Sequence, residues 1–315
     1  MNKTSLLIIS LIVLAVADSV EPTYEDYKKA QGLKYLNDAE DQYRHRIYDT
    51  NTAKIRSHNA DNTSTHKEGV NQFTCLTKAE FVAANLGTRP PTTAAVAAPA
   101  VDSIIVTAWA PTAIDWTTKA NVVTAVKNQG GCGSCWAFAA VAAIESMRFQ
   151  AYRTTGSDFS EQQLVSCSSS FGNSGCNGGW MGNAYNYVKA VGITTETLYP
   201  YTGQSTACKV NGGSFKISGF TTVGATCDAL AIAVLGRPIS VAVDATNWSP
   251  YKSGIFRNCK TSINHGVLLV GVNATTWRIK NSWGTGWGSF GHIYLAASNG
   301  NNTCNVCKYG SYPNK

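Results

Sequence analysis

Charge is scarce in this sequence: Asp, Glu, Lys and Arg make up 14% of its 315 residues, against about a quarter in an ordinary soluble chain. Its lysines and arginines stand singly, so a net charge of +7 comes without the basic stripe that tracks a phosphate backbone, and nucleic acid is excluded as a partner. No heptad array or long repeat occurs, which excludes coiled coils and solenoids. Beyond residue 17 no apolar run is long enough to span a bilayer. Histidine is rare, five in all, and shows no clustering with carboxylates, so neither a metal nor another cofactor is called for. What is left is a globular chain with room for one large domain or two modest ones.

What is present begins with a leader. Lys3 precedes an apolar run, Leu6 to Val16, and Ala15-Val16-Ala17 offers a small-x-small cleavage site before Asp18. This predicts a signal peptide over 1–17 and entry into the secretory pathway, ending in a lysosome-like compartment or outside the cell, where disulfides are allowed. Asn-x-Ser/Thr sequons stand at Asn62, Asn247, Asn273 and Asn301.

Residues 18–86 read as polar and mostly helical. Glu40, Arg44, Tyr48, Asn51, Ile55 and Asn59 recur at spacings of three and four, along one stripe of a helix, as any amphipathic helix would place them. Gly69-Val70-Asn71-Gln72-Phe73-Thr74-Cys75 follows, then Thr77 with Glu80 three residues on, a capping box. From Gly87 the chain turns into a Pro/Ala/Thr-rich linker through residue 109. Residues 18–109 carry 10 basic and 12 acidic side chains, net −2, and residues 110–315 carry 15 and 7, net +8; the two parts attract.

From Asp115 onward aromatics, Gly and Cys become frequent. Gln129-Gly-Gly-Cys132-Gly133-Ser134-Cys135 runs directly into the apolar, helix-prone stretch Ala137 to Tyr152. Glycines permit a sharp turn there, so Cys135 falls at or beside a helix N-terminus, where orphan N–H groups and the dipole lower a thiol's pKa. Two other readings stay open at this point: Cys132-x-x-Cys135 as a redox pair, though no βαβ pattern precedes it, and both cysteines as ordinary disulfide partners. Residues 116–190 look helical, and beyond about 210 strands take over at Ile239–Val243, His265–Val270, Trp277–Lys280 and Gly291–Leu295. A helical half followed by an antiparallel half is an α+β fold with a cleft between.

A thiolate nucleophile needs an imidazole, an orienter and oxyanion donors. Residues 110–315 hold two histidines. His292 lies inside an alternating strand and reads as structural, whereas His265 opens the most apolar strand. Asn281, sixteen residues on, suits an orienter, with Trp283 to shield that hydrogen bond, and Gln129 suits an oxyanion donor.

Gln129…Cys135-Trp-Ala-Phe, Cys176-Asn-Gly-Gly, Ile263-Asn-His265-Gly and Asn281-Ser-Trp-Gly resemble the papain family of cysteine proteases over nearly the whole chain after Ala110. The 40–59 stripe and Gly69-x-Asn71-x-Phe73 resemble the two motifs of a cathepsin L-like proregion, with Tyr48 where Phe or Trp is usual and Cys75 where Asp is usual. The resemblance implies a two-domain fold, a helical domain facing a β-barrel-like domain across the active-site cleft. It also implies an inhibitory proregion over 18–109 and a peptidase over 110–315, acting as a monomer on protein and peptide substrates. Cys135 would be the nucleophile, His265 the general base and acid, Asn281 the orienter and Gln129 the oxyanion donor. Gly133, Gly178, Gly179, Asn264 and Trp283 would contact substrate, and Met181, Ala242, Ile263 and Tyr309 would line the pocket two residues upstream of the scissile bond. The implied disulfides are Cys132–Cys176, Cys167–Cys208 and Cys259–Cys304, which leaves Cys227 and Cys307, outside the common three-bridge pattern, to pair with each other. The alternatives are a catalytically silent binding homologue, against which the intact Cys, His, Asn and Gln speak, and a proregion acting chiefly as a separate inhibitor.

Overall fold

The computed structural model describes residues 21–90, 111–155, 158–210, 212–297 and 302–315. The signal segment, residues 91–110 with most of the linker and the boundary at Ala110, and the sequon at Asn301 lie outside the described residues. Two compact units result, one ending at Lys34 and one running from Tyr35 to Lys315. The first contains helix α1 (Tyr24–Gln31), N-capped by the Thr23 hydroxyl and closed by Gly32 at φ 64°.

The second unit opens with α2 (Asp38–Ala60), whose N-terminus is capped by the Asn37 side chain on the Glu40 N–H. The stripe seen in the sequence is a row of grips on one downstream segment. Arg44 Nη1 donates to both Glu80 carboxylate oxygens at 2.9 Å and to the Cys75 carbonyl at 3.2 Å. Asn51 Nδ2 donates to the Thr74 and Leu76 carbonyls. Asn59 holds both the N–H and the carbonyl of Glu68 at 2.9 Å, while Tyr48 and Ile55 are buried. Each amide and guanidinium thus satisfies a backbone or carboxylate group that the turn-rich segment leaves over.

That segment is not wholly helical. His66–Glu68 forms strand β1, ahead of helix α3 (Lys78–Asn85), whose Thr77–Glu80 capping box is formed reciprocally. The fold also gathers His58, His66 and Glu68, a His/carboxylate set absent from the sequence reading because its members meet only when β1 packs beside α2.

In the remainder, β2 (Ile114–Asp115) precedes α4 (Cys135–Tyr152), α5 (Glu161–Cys167) and α6 (Met181–Ala190). Then come β3 (Gly219–Val223), α7 (Cys227–Gly236), β4 (Ile239–Val243), β5 (Tyr251–Phe256), β6 (His265–Val272), β7 (Thr276–Lys280), β8 (His292–Ala296) and β9 (Gly310–Asn314). The strands order as β1-β5-β8-β7-β6-β4-β9-β3, with β2 on β6. Two features depart from a purely antiparallel β half: α7 interrupts it, and β5 runs parallel to β8.

Helix α4 is apolar on nearly every side and buried, as a helix must be to lie in a core. It packs with α5 and α6 and against β6, around Trp136, Ile144, Leu164 and Tyr185. The other core fills the sheet side with Trp248, Trp277, Trp283 and Trp287, and takes in Phe73 and Phe81 from before the linker. Disulfides Cys132–Cys176, Cys167–Cys208, Cys227–Cys307 and Cys259–Cys304 are present, and Cys75 and Cys135 are in none. Among the described residues no helix is long and apolar enough to cross a membrane.

Candidate active site

Cys135 is the first residue of α4. Ser134, before it, sends its hydroxyl to Tyr201 Oη at 2.7 Å and makes no side-chain cap, so the helix end stays open toward the cysteine. Burial pushes the thiol up. The charge of the neighbouring His265 ring, with the Thr88 hydroxyl and the Gly266 N–H, outweighs it and brings the thiol from 9.0 down to about 7.

His265 begins β6, across from the start of α4. Its Nε2 lies 2.8 Å from Asn281 Oδ1. The Ser282 N–H donates to the same oxygen, which orients the amide, so Nε2 carries the ring proton and Nδ1 is the basic nitrogen. Nδ1 has no hydrogen bond of ordinary geometry, yet its ring carries the largest attractive influence on the thiol. Trp283 lies against the imidazole, centroids 4.7 Å apart at 32°, and is itself buried. His292 is elsewhere, in β8, where burial and nearby Arg278 push it down to about 4.

Gln129 is buried, six residues before Cys135. Its backbone N–H donates to the Ser282 carbonyl at 2.8 Å, and Ser282 Oγ donates to Gln129 Oε1 at 2.7 Å. With Oε1 held, Nε2 must point the other way, and it donates to the Cys132 carbonyl at 2.8 Å and to the Asn85 carbonyl at 2.9 Å.

Asn85 announces what fills the cleft. The Gly87 N–H donates to Cys135 Sγ at 3.4 Å, and Thr88 Oγ1 lies 3.2 Å from the same sulfur. The Thr88 N–H donates to the Asn264 carbonyl, the Arg89 N–H to the Gly179 carbonyl, and the Gly179 N–H to the Gly87 carbonyl. This is a short parallel bridge between Thr88 and Gly179. Gly87 is required: a Cβ there would stand 1.8 Å from the Gly133 carbonyl oxygen. Gly133 in turn donates its N–H to the Cys176 carbonyl, and Gly178 has φ 115°, open to glycine. Met181, Ala242, Ile263 and Tyr309 fall in one apolar cluster, and Tyr309 meets Trp180 edge-on at 5.4 Å.

The structure sets His265 beside Cys135 and Asn281 with Trp283 on the imidazole, ties Gln129 to Asn85, and brings Asn264, Gly133, Gly178 and Gly179 against Gly87 and Thr88, while Met181, Ala242, Ile263 and Tyr309 share one apolar cluster. Sequence reasoning missed Asn85, Gly87 and Thr88, which occlude it, and Ser282, which orients Gln129. The only signal for the first three was that Asn85 ends a capped helix and Gly87 and Thr88 open the Pro-rich linker.

The description "Papain family cysteine protease" matches residues 110–314, and "Cathepsin propeptide inhibitor domain (I29)" matches residues 24–81. Cathepsin L 2 of Paramecium tetraurelia is 38% identical over 95% of this chain and 94% of its own length. The cathepsin L-like proteinase of Fasciola hepatica is 37% identical over 98% of each. Among solved structures, digestive procathepsin L 3 of the Tenebrio molitor larval midgut matches with a TM-score of 0.79 at 34% identity, over 92% of this chain and 97% of that one. A recombinant stem bromelain precursor matches with a TM-score of 0.82 at 34% identity and the same coverage. The chain belongs to the papain family of cysteine proteases, as a cathepsin L-like precursor that carries its own propeptide inhibitor domain.

Proposed function

We propose that Cys135 is the nucleophile of a peptide hydrolase and that His265, Asn281 and Gln129 serve it as base and acid, orienter and oxyanion donor. The observation that carries this reading is the Cys135 thiol, lowered to about 7 at the start of α4 beside an imidazole whose far nitrogen is held by Asn281. The Cys135 thiol gives its proton to His265 Nδ1, the resulting thiolate sulfur bonds to the peptide carbonyl carbon, and the oxyanion is received by Gln129 Nε2 and the Cys135 N–H. As the C–N bond breaks, His265 Nδ1 passes its proton to the leaving amine. Water, deprotonated by the same nitrogen, then cleaves the thioester and restores the thiol.

Substrate backbone would run along Gly178 and Gly179, with Asn264 and Gly133 beside it and Trp283 beyond the imidazole. Gly87, Thr88 and Arg89 now lie against Gly133, Gly178, Gly179 and Asn264. Met181, Ala242, Ile263 and Tyr309 would receive an apolar side chain, with Tyr309 making the pocket shallow. The mature enzyme would begin near Ala110, after a signal peptide over 1–17 and proregion 18–109, and would act as a monomer in a lysosome-like compartment or outside the cell. The test is hydrolysis of a fluorogenic peptide after acid incubation, with a thiol-directed epoxide added in parallel. Turnover abolished by a single adduct on Cys135 is the expected result; turnover surviving that adduct would refute the reading.

A further inference from the structure

We propose that His58, His66 and Glu68 form a divalent-cation site of zinc type in the proregion, seated where the proregion meets the peptidase sheet. His58 is in the last turn of α2, and His66 and Glu68 are the two ends of β1. Glu68 Oε1 lies 3.7 Å from His66 Nε2 and 3.9 Å from His58 Nδ1, and the three ligand atoms lie within 4.8 Å of one another. Zinc bonds of about 2.0–2.2 Å in a tetrahedron place ligand atoms about 3.3–3.6 Å apart. Side-chain adjustment of a few tenths of an ångström to about 1.5 Å would close these three around an ion.

Three further observations point to a ligand. His66 Nε2 is fully buried and has no hydrogen-bond partner, an arrangement that folded proteins seldom leave without a reason. The ring is fixed by its neighbours, 4.8 Å from Phe256 and 6.2 Å from Tyr251, so Nε2 cannot swing out to water. His58 is turned in the correct sense: its Nε2 lies 2.9 Å from Ser64 Oγ and 3.2 Å from the His66 carbonyl. Ser64 already donates to that carbonyl, so both oxygens accept from Nε2–H, and Nδ1 keeps its lone pair toward the cluster. A ligating histidine that donates its other N–H to a carbonyl or hydroxyl is the usual outer arrangement of zinc sites. Finally, a cavity of about 350 Å³ reaches His58 and Glu68, giving an ion an entry path and a water its fourth position.

A His₂Glu donor set suits zinc over calcium or magnesium, which favour oxygen. The bound ion would tie the end of α2 to β1, and β1 is the strand the proregion adds antiparallel to β5. It would thus be a clasp on the precursor, lost when the proregion leaves, and it is independent of the catalytic reading.

The test uses full-length precursor carrying Cys135→Ala, so that zinc on the catalytic thiol does not intrude. Titration calorimetry with zinc chloride should give one site per chain and a raised Tm. Cobalt(II) should give visible bands of a four-coordinate site without a thiolate charge-transfer band, which separates it from binding at Cys75. His66→Phe, which keeps an aromatic ring between Tyr251 and Phe256, and Glu68→Gln should each weaken binding tenfold or more. Absence of saturable binding at submillimolar zinc, or affinity unchanged in both variants, would overturn the proposal.

Discussion

The side-chain amide of Gln129 donates at 2.9 Å to the backbone carbonyl of Asn85. The group proposed to receive an oxyanion is thus already bound to a carbonyl of the chain's own proregion. If Gln129 is that donor, latency is occupancy of the donor as well as a steric lid, and the next residues add to it, with Gly87 and Thr88 both on the Cys135 sulfur.

Gly87 is the residue on which that occupancy depends. A Cβ 1.8 Å from the Gly133 oxygen cannot be absorbed by side-chain motion, and overpacking of this kind costs about 1–3 kcal/mol. Gly87→Ala should weaken inhibition of mature enzyme by the isolated proregion by about tenfold to a hundredfold, and should leave the precursor partly active at neutral pH. An unchanged inhibition constant would show that the segment does not seat as described.

Acid should undo the grip of α2 on α3 through Glu80. Burial pushes this carboxyl up, but the Thr77 N–H and hydroxyl and the Arg44 guanidinium hold it below 4.5. A group depressed on folding contributes stability above its unfolded pKa and loses that contribution as pH falls through the folded value. Activation should therefore steepen below about pH 4.5, and Glu80→Gln should move its midpoint to higher pH. Cys75, a buried residue whose carbonyl also receives Arg44, stands where the resemblance expects an aspartate that acid would protonate. A Cys75→Asp precursor should convert at higher pH or faster than the native chain. Superimposable conversion curves for either variant would remove that position from the switch.

In the proposed pocket, specificity would rest on Tyr309, partly buried against Trp180. A peptide library should show Leu or Val two residues before the scissile bond favoured over Phe and Arg, and Tyr309→Ala should admit Phe. A native preference for Phe or Arg would mean that Tyr309 does not limit the pocket.

The Cys227–Cys307 bridge closes a separation of 80 residues between the start of α7 and the approach to β9. In the chain-entropy account a loop of that size is worth about 4–5 kcal/mol, so Cys227→Ala with Cys307→Ala should lower Tm by several degrees. A non-reducing digest should yield the linked peptides. A native thiol at either position would contradict the structure.

Residues whose roles are local were legible in the sequence. Ile239–Val243 and the strand after His265 are strands because each carries its own apolar run, and Cys135 sits after a glycine turn that can do little else. What stayed hidden is what a partner decides. Tyr251–Phe256 exposes its middle residues and shows no alternation, so only pairing with β1 and β8 makes it a strand. His66–Glu68 is polar, and its strand identity comes from β5. Thr226, whose hydroxyl caps α7 by accepting from the Ala229 N–H, was a readable start signal within a stretch otherwise rich in strand cues. The charge difference between the two parts suggested docking, yet the contacts that hold it include backbone bridges, side-chain hydrogen bonds such as Gln129 to Asn85 and Asn71 to Ser249, and the edge-on packing of Phe73 and Phe81 on Trp283.

The central claim is that one thiol does the chemistry with the help of one amide. The most direct measurement is turnover of a peptide substrate by proregion-free protein, comparing native enzyme with Cys135→Ala and Gln129→Ala. The account predicts no turnover from Cys135→Ala, and a kcat reduced about a hundredfold to a thousandfold for Gln129→Ala, as removal of one oxyanion donor does elsewhere. Turnover retained by folded Cys135→Ala protein would contradict it.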